Sequence, residues 1–395
     1  MKSKPLAIIS GIGAVSPLGC TVSQAYGELL DSNVRTGRVA VGDIFYPVIH
    51  RHPDCVQVVE RAVRKFALHR HDQSVQLAAT AAEMAALQSG WSEAELKSAG
   101  VITGSSRGLT QKLEETYNQF VDSGKSTVPL LTSPLTTSGN MASTVASCIG
   151  CYGPVFHVSM TCSTGGFSLL NAVSLIGSGM CKRVLAGASE FPITPFSVAQ
   201  LAALGVYAKN TDDVFPSRPL ADPPGNSVML GEAAVMLALE EFGKKKNALA
   251  VIERVGYGFE KPPSLTGISA NAAQIYAAMK MAADGVEVDA VILHAPGTAK
   301  GDAAEMQAVK QFFGDKMPFL TSTKWKTGHT YGTSGLVSLL AAVSFLGQCE
   351  LPLIPYPNRA QNIQPEKPVR RVLVNTAGFG GAATSVLVSD MGLFG

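Results

Sequence analysis

Val158-Ser-Met-Thr-Cys-Ser-Thr-Gly-Gly166 is a turn between a predicted strand and a predicted helix, and it carries Cys162. The strand is indicated by apolar residues before the turn, namely Val155, Phe156, Val158 and Met160. The helix is indicated by apolar residues spaced i, i+4 and i+7, namely Leu169, Val173 and Ile176. A thiol at a helix start lies near unpaired N–H groups and the positive end of the helix dipole, and both favour the nucleophilic thiolate. Cys162 is therefore a candidate nucleophile, with a buried structural cysteine as the alternative.

Two histidines follow predicted strands in the same way. His294 ends the apolar run that begins at Val291, and His329 comes after Phe319-Leu320 and a turn of small and polar residues. Open α/β sheets bind ligands outside the carboxyl ends of their strands. A single histidine is more often a structural or surface residue, but two histidines and a cysteine at equivalent strand ends predict one shared site.

The composition describes a chain that can bury a large core. It has 395 residues, of which 46% are hydrophobic and 16% are charged, and its formal net charge is +2. This length is typical of two or three domains, and so small a charge provides no overall attraction to nucleic acid or to a membrane. The longest apolar stretch, residues 336–346, is too short to span a bilayer. Seven scattered cysteines indicate a reducing compartment rather than a disulfide framework, so we expect a cytoplasmic protein.

Strand-like and helix-like stretches alternate along the chain, which favours an α/β fold with largely parallel strands. Residues 6–13 and 249–256 share length and pattern, either by chance or because they begin two similar halves. The polar segment 240–247 lies between them and is the best boundary. We therefore predict an N-terminal half over residues 1–245 and a C-terminal half over residues 246–395.

Four segments together resemble the signature segments of the β-ketoacyl-acyl-carrier-protein synthases. In chain order they are Thr161-Cys-Ser-Thr-Gly165, His294-Ala-Pro-Gly-Thr298, Lys324-Trp-Lys-Thr-Gly-His329 and Gly378-Phe-Gly-Gly381. Residues 9–19, 187–190 and 218–222 are also similar to the family, so the resemblance extends over the whole chain. Each segment alone is weakly specific, whereas the ordered set is highly specific.

The resemblance implies a thiolase-like α/β fold. Two similar βα halves, each with a mixed five-stranded sheet, would form a layered αβαβα arrangement around a pseudo-twofold axis. Cys162 would belong to the N-terminal half, and His294, Lys324 and His329 to the C-terminal half, so that the site forms where the halves meet. Residues 105–145, which we expect to be irregular because they are rich in Ser and Thr with two prolines, would cap the acyl tunnel and build the dimer contact.

The reaction implied by the resemblance is a decarboxylative Claisen condensation. An acyl carrier protein (ACP) delivers an acyl group to Cys162 as a thioester, which suits a nucleophile that attacks and leaves readily. Malonyl-ACP then loses CO2, and its enolate attacks the thioester. His294 and His329 would hydrogen-bond to the malonyl thioester oxygen, and Lys324 would disfavour imidazolium by like-charge repulsion. The resemblance implies no metal and no redox cofactor, because the substrates are carried on the phosphopantetheine of ACP.

Two further residues acquire binding roles from the resemblance. Phe379, which is flanked by glycines, would act as a gate over Cys162. The backbone N–H groups of Cys162 and Phe379 would hold the thioester oxyanion. Thr298 would hydrogen-bond to the phosphopantetheine arm.

The chain departs from the family at three positions of the site. Ala295 and Pro296 stand where the family has a glycine and a threonine, and Ser338 stands where it usually has a glutamate near the lysine. We therefore expect Lys324 to be less well paired than in the family, and we expect a specialised synthase rather than the housekeeping fatty-acid enzyme.

A basic cluster is the candidate docking surface for ACP. Its members are Arg61, Arg64, Lys65 and Arg70. On a helix the first three share one face, and carrier proteins are acidic. An ordinary solvated helix face is the alternative. The resemblance further implies a homodimer, or a heterodimer with a related ketosynthase.

Two other functions stay open. One is a tunnel-shaping partner subunit of a heterodimeric ketosynthase, which the intact Cys162, His294, Lys324 and His329 disfavour. The other is a CoA-dependent thiolase or acyltransferase, although by resemblance a thiolase would need a second catalytic cysteine late in the chain.

Overall fold

The computed structural model describes residues 4–209, 213–243, 248–360 and 363–394. Its strands are β1 (Ala7–Val15), β2 (Thr36–Val41), β3 (Ile44–Ile49), β4 (Gly100–Gly104), β5 (Val155–Val158), β6 (Arg183–Glu190), β7 (Leu230–Gly231), β8 (Ala233–Glu240), β9 (Ala250–Phe259), β10 (Ala290–Ile292), β11 (Phe319–Thr321), β12 (Arg371–Ala377) and β13 (Ala382–Ser389).

The strands alternate with helices, as the sequence pattern predicts. The α-helices are α1 (Val22–Leu30), α2 (Asp54–Lys65), α3 (Gln73–Ser89), α4 (Glu93–Ser98), α5 (Thr110–Asp122), α6 (Thr132–Thr136), α7 (Asn140–Ile149), α8 (Thr164–Gly177), α9 (Pro195–Ala202), α10 (Ala273–Ala283), α11 (Ala299–Phe313), α12 (Lys324–Thr327) and α13 (Ser334–Phe345). Short 3-10 helices cover Tyr331–Thr333 and Met391–Leu393.

Ten strands form one mixed sheet in the order β11-β10-β12-β13-β9-β1-β8-β6-β4-β5. In the N-terminal part, β4 is parallel to β5 and β6, and β8 is antiparallel to both β6 and β1. In the C-terminal part, β10 is parallel to β11 and β12, and β13 is antiparallel to both β12 and β9. The two five-stranded parts therefore have the same order and the same directions, which confirms the thiolase-like α/β fold.

The two parts are joined at their inner edges, where β1 pairs with β9 in antiparallel orientation through Ile8 and Val251. We predicted two five-stranded sheets, and the structure merges them into one continuous sheet of ten strands. Edge strands present unpaired backbone groups, and these two edges satisfy each other. The residues that share a sequence pattern, 6–13 and 249–256, thus begin equivalent strands. The boundary that we predict between residues 245 and 246 lies outside the described residues and stays a prediction.

Helices cover the sheet in layers. Helix α3 packs on β1 and β8, and α10 packs on the equivalent strands β9 and β13. Between the two parts, α8 contacts β6, α13 contacts β12, and the two helices contact each other. All twelve residues of α13 are buried, which explains why its sequence is apolar or small on every side. Helices α8 and α13 therefore bring the cysteine turn and the histidine turn to one place.

Residues 105–145 are helical, so the expectation of irregular structure there was wrong. They contain α5, α6 and the beginning of α7. The threonines had suggested a loop, but their hydroxyl groups form hydrogen bonds to carbonyl groups of the helix. For example, Thr116 Oγ1 donates to the Lys112 carbonyl at 2.8 Å. Pro134 lies in the first turn of α6, where its missing N–H removes no helical hydrogen bond.

The cysteines also differ from expectation, because Cys20 and Cys55 form a disulfide with a Cα–Cα distance of 6.1 Å. Cys148, Cys151, Cys162, Cys181 and Cys349 are free. Among the described residues, no helix is long and apolar enough to cross a membrane.

Candidate active site

Cys162 lies in a tight turn between β5 and α8, as the sequence predicts. Thr161 has a φ of 49°, which places it in the left-handed region that few non-glycine residues adopt. The turn is held by Thr164, whose Oγ1 accepts from the Met160 N–H at 2.9 Å and donates to the Thr161 carbonyl at 2.6 Å. Cys162 is therefore fixed two residues before the helix begins, and its side chain is buried.

The thiol of Cys162 is not held as a thiolate in the resting site. Burial raises its pKa to about 12, and the positive charges of Lys324 and Arg107 act in the opposite direction without overcoming it. This corrects the expectation from the helix start, because desolvation of the charged form outweighs the nearby positive charges. The proton must therefore leave as the thiol attacks.

His329 is held at both its backbone and its ring. Its N–H donates to the Met229 carbonyl at 2.6 Å, and its carbonyl accepts from the Gly231 N–H at 3.2 Å. Ring atom Nδ1 accepts from the Tyr331 N–H at 3.0 Å and lies 3.0 Å from Ser334 Oγ. Because Nδ1 is an acceptor, the neutral ring carries its proton on Nε2.

His294 follows β10 and meets His329 edge to face. Their ring centroids are 5.4 Å apart and their planes are inclined by 80°. Burial lowers the pKa of both imidazoles, to about 3 for His329 and well below the ordinary value for His294, and the charge of Lys324 lowers both further. Both rings are therefore neutral at physiological pH.

Lys324 is buried behind the histidines at the start of α12. Its ammonium donates to the His294 carbonyl. Burial lowers the pKa of Lys324 to about 8, while the carboxylate of Glu305 acts to raise it. Lys324 thus retains its positive charge below pH 8, and Glu305 is the carboxylate that acts most strongly on that charge.

Glu305 and Asp302 are residues of the site that the sequence analysis left without a role. Glu305 accepts from the N–H groups of His294 and Ala295 at 2.8 and 2.7 Å. Asp302 accepts from the Leu220 N–H at 2.7 Å and from two N–H groups of the turn after His294 at 3.1 and 3.2 Å. The signal available in the sequence was the pair of carboxylates in the first turns of α11, because carboxylates that become buried need hydrogen-bond or charge partners.

Ser338 does not leave Lys324 without a partner. Its Oγ lies 3.2 Å from Thr323 Oγ1, and its side chain is buried in the middle of α13. Among the described residues, Lys324 donates to the His294 carbonyl and has no carboxylate within 4 Å, although the charge of Glu305 on another helix acts to raise its pKa. That Lys324 is less well paired than in the family stays a prediction.

The glycine-rich turn 378–381 lies against the cysteine turn. Thr161 Oγ1 donates to the Phe379 carbonyl at 3.1 Å, and a Cβ added to Gly378 would stand 3.0 Å from Cys162 N. Gly380 and Gly381 have φ values of 88° and 86°, which only glycine adopts readily. Phe379 is 43% exposed and lines the cavity that also holds Cys162.

A cavity of about 580 Å³ joins these groups. Cys162, His294 and His329 line it, together with Thr298 and Phe379. Lys324 does not line the cavity and contacts the backbone of His294 instead. The structure therefore brings five of the predicted site residues together in one cavity and places the sixth, Lys324, behind the cavity wall.

Thr298 caps α11 at the wall of this cavity. Its Oγ1 accepts from the Gly301 N–H at 3.2 Å, and the hydroxyl hydrogen remains able to donate. Lys300 and Asn226 line the same cavity. This part of the wall is polar, in contrast to the apolar lining provided by residues such as Leu201, Val206 and Val228.

The basic cluster lies apart from the cavity. Its four residues, Arg61, Arg64, Lys65 and Arg70, are exposed on and just after α2, and none of them lines the cavity. Lys65 is engaged with Glu83 at 2.6 Å, and Arg64 lies 3.8 Å from Glu60. Arg61 and Arg70 have no ion pair among the residues that the structure describes.

In the described part of the chain, no group of three or more His, Cys, Asp or Glu side chains is arranged to hold a metal ion.

Comparison with known proteins gives the same picture over the whole chain. The model of the β-ketoacyl synthase N-terminal domain matches residues 5–244, and that of the C-terminal domain matches residues 249–355. The chain is 28% identical to 3-oxoacyl-acyl-carrier-protein synthase 2 of Vibrio harveyi, with 98% of each chain covered. It is also 28% identical to a 3-oxoacyl-acyl-carrier-protein synthase homolog of Saccharomyces cerevisiae, with 96% of this chain and 97% of the relative covered.

Solved structures share the fold at lower identity. The ishigamide ketosynthase/chain length factor superposes with a TM-score of 0.85 at 20% identity, over 98% of this chain and 99% of that one. A type II polyketide ketosynthase in complex with its acyl-carrier protein and bound to the hexaketide superposes with a TM-score of 0.82 at 19% identity, over 98% of this chain and 100% of that one.

Proposed function

Because the chain belongs to the β-ketoacyl synthase family, we propose that it condenses an acyl group held on Cys162 with malonyl-ACP to give 3-oxoacyl-ACP. One observation carries this proposal: a buried thiol and two neutral imidazoles line the same cavity. A thiol can hold an acyl group, and a neutral imidazole with a proton on Nε2 can donate to a forming enolate.

The first half-reaction transfers the acyl group. Cys162 Sγ attacks the thioester carbonyl of acyl-ACP, the bond from that carbon to the carrier sulfur breaks, and the thiol proton ends on the departing carrier thiol. The oxyanion formed on the way would be held by the N–H groups of Cys162 and Phe379, whose turns lie in contact. Removing one such donor typically costs about 3–4 kcal/mol of barrier.

The second half-reaction forms the carbon–carbon bond. Malonyl-ACP loses CO2, and the electron pair of the broken bond becomes an enolate on the thioester. His329 donates from Nε2 to the enolate oxygen, and His294 provides the second contact. The carbanion carbon then attacks the acyl carbonyl on Cys162, whose sulfur leaves. Burial keeps both imidazoles neutral, and like-charge repulsion by Lys324 adds to this effect.

The substrates would be carried on the phosphopantetheine of ACP and would need no other cofactor. Thr298 offers a hydroxyl donor to the arm, and Phe379 would move aside to admit it. We propose the basic cluster as the docking surface for the acidic carrier. The polyketide ketosynthase whose structure was solved with its acyl-carrier protein supports this kind of partner.

We also propose that two copies of the chain associate, or that one copy associates with a related ketosynthase. Apolar side chains are exposed on the edge strand β5, namely Val155 and Phe156, and on helix α5, namely Leu113 and Tyr117. Exposed apolar side chains on an open sheet edge are typical of an association surface. The reaction, whether in fatty-acid or polyketide synthesis, would take place in the cytoplasm.

The test is intact-mass detection of acyl transfer to purified protein, followed by condensation with malonyl-ACP in the absence of a second subunit. Cys162→Ala should abolish the acyl adduct and keep the melting temperature of the parent. Labelling that persists at Cys148 or Cys151 would refute the assignment of the nucleophile. Neither thiol lines the cavity that holds the two histidines, so we expect neither to react. Acylation by acyl-CoA in preference to acyl-ACP would favour the thiolase or acyltransferase alternative, and condensation that needs a second subunit would favour the partner-subunit role.

A further inference from the structure

Gln274 is a buried amide in the wall of the cavity that holds Cys162, and the mechanism gives it no role. It lies in the first turn of α10, is 2% exposed and lines the cavity. Its backbone packs against β9, since a Cβ added to Gly258 would stand 2.0 Å from the Gln274 carbonyl oxygen. The side chain is therefore the part of Gln274 that reaches the cavity.

The amide of Gln274 has no partner within the described protein. Its Oε1 is buried, and neither end of the amide forms a hydrogen bond with a residue that the structure describes. Among the described residues that line the cavity, the one other buried side-chain atom without a partner is His294 Nδ1. A buried polar atom that lacks a hydrogen bond costs stability. Such an atom in the wall of a binding cavity indicates a partner that arrives with the ligand.

Gln274 belongs to a polar part of the wall. Helices α10 and α11 pack together, and the starts of both helices reach the cavity, at Gln274 and at Thr298. The segment before α10 contributes Ser264 to the same wall. That segment begins beside the glycine-rich turn, because a Cβ added to Gly381 would stand 2.0 Å from the Glu260 carbonyl oxygen. The wall between the glycine-rich turn and α11 thus presents hydroxyl and amide groups.

Thr298 and Gln274 offer complementary groups. Thr298 Oγ1 already accepts from the Gly301 N–H at 3.2 Å, so its hydroxyl has a hydrogen to donate. Gln274 Oε1 is an acceptor, and rotation about the last bond of a glutamine side chain is soft, so either end of the amide can face the cavity. Pro296 lines the same wall and has no hydrogen-bonding group in its side chain. A secondary amide, which has one C=O and one N–H, needs one such donor and one such acceptor.

We propose that Gln274 binds the phosphopantetheine arm of ACP, and that its Oε1 accepts a hydrogen bond from one of the two amide N–H groups of the arm. This inference rests on the proposed function and adds a residue that recognises the amides of the carrier arm. Gln274 thereby selects thioesters of pantetheine over thioesters whose linker lacks that N–H, whatever acyl group they carry.

The experiment measures acylation of Cys162 by intact mass, as a function of donor concentration, with three donors that carry the same acyl group. One is the acyl pantetheine thioester, and in each of the other two an ester oxygen replaces one of the two amide N–H groups. For one of the ester analogues we expect the half-saturating concentration to be about 3- to 10-fold higher in the parent protein, the range expected for loss of one hydrogen bond.

Gln274→Met tests the residue itself, because methionine is unbranched like glutamine and carries no amide. The variant should bind the amide donor as weakly as the parent protein binds the affected ester analogue, and it should no longer distinguish these two donors. Gln200→Met is the matched control. Gln200 also has a buried Oε1 without a partner among the described residues, but it does not line the cavity. The control should discriminate between the donors as the parent does.

Equal half-saturating concentrations for all three donors in the parent protein would overturn this inference and leave the proposed function intact, because Cys162 is still acylated. The same holds if Gln274→Met keeps the parental discrimination. Failure of every donor, including acyl-ACP, to acylate Cys162 would overturn the proposed function and this inference with it. Melting temperatures identify a variant that has lost its fold, and Gln274→Ala then takes the place of Gln274→Met.

Discussion

The Tyr331 N–H donates to His329 Nδ1 at 3.0 Å, and this bond determines which nitrogen of the imidazole carries the proton. With Nδ1 as acceptor, Nε2 is the donor that can serve an enolate. The thiol of Cys162 needs no such donor to attack, since its proton can leave with the carrier thiol. The two half-reactions therefore depend on different groups.

Replacing either histidine by alanine should separate the half-reactions. His329→Ala and His294→Ala are expected to accept an acyl group on Cys162 but to lose CO2 release from malonyl-ACP by about 100-fold or more, the range expected for loss of a transition-state hydrogen bond. Single-turnover acylation measured beside CO2 release checks this. Ser334→Ala is the matched control, because it removes one neighbour of Nδ1 and leaves the Tyr331 N–H in place. Equal loss of both half-reactions in both histidine variants would contradict the division.

Lys324→Met should shift the acid limb of decarboxylation to higher pH. Burial and the Lys324 charge both lower the pKa of the imidazoles, so removing the charge lets these values rise. Decarboxylation is lost as pH falls through the pKa of the imidazoles, and a higher pKa brings that loss at a higher pH. A pH–rate profile of CO2 release measures the shift.

The neighbouring buried lysine provides the control for this shift. Lys326 binds the carbonyls of Asp31 and Asn33 and does not line the cavity, so Lys326→Met should leave the acid limb in place. If the Lys324→Met enzyme is slower at every pH and the acid limb of its profile does not move, the lysine positions the histidine loop but does not set the protonation of the imidazoles.

Ser338→Glu is expected to destabilise the protein by about 1–3 kcal/mol, because a longer charged side chain would enter a helix that is buried on all sides. The charge of Glu305 already acts on Lys324, so the added glutamate should not improve the site. Ser338→Ala is the smaller change, and loss of the contact with Thr323 should cost roughly 0.5–1.5 kcal/mol. Thermal melts measure the change in stability, and pH–rate profiles of CO2 release show whether the site has changed. A stable Ser338→Glu enzyme with a shifted profile would instead place position 338 in the charge network of the site.

Reversing the charge of Arg61 and Arg64 should raise the KM for acyl-ACP several-fold and leave kcat nearly unchanged. Exposed charges act mainly on encounter, and their effect should weaken as salt is added. Lys65 is left in place because it pairs with Glu83, so its reversal would also bring two negative charges together. Activity with an acyl pantetheine should not change, since that substrate carries no acidic partner. Equal losses with both substrates would mean that the cluster supports the fold.

The sequence by itself determined the features that depend on neighbouring residues. The strand, turn and helix around Cys162 follow from apolar periodicity and small residues, and the same holds for the turns that carry His294 and His329. The similar patterns at the start of the two halves were consistent with equivalent strands without excluding chance, and the ordered segments were sufficient to predict the family. These are short-range properties of a chain whose local preferences agree with its fold.

Only the tertiary structure decided the partners and the protonation of the site. Glu305 reaches the His294 loop, Glu190 joins two loops distant in sequence, and Arg107 meets Tyr331 across more than 200 positions, so no local pattern could reveal these contacts. The helix start beside Cys162 is visible in the sequence, whereas the burial that raises the pKa of its thiol is not. Desolvation depends on everything packed around a group, and that is fixed only when the two halves come together.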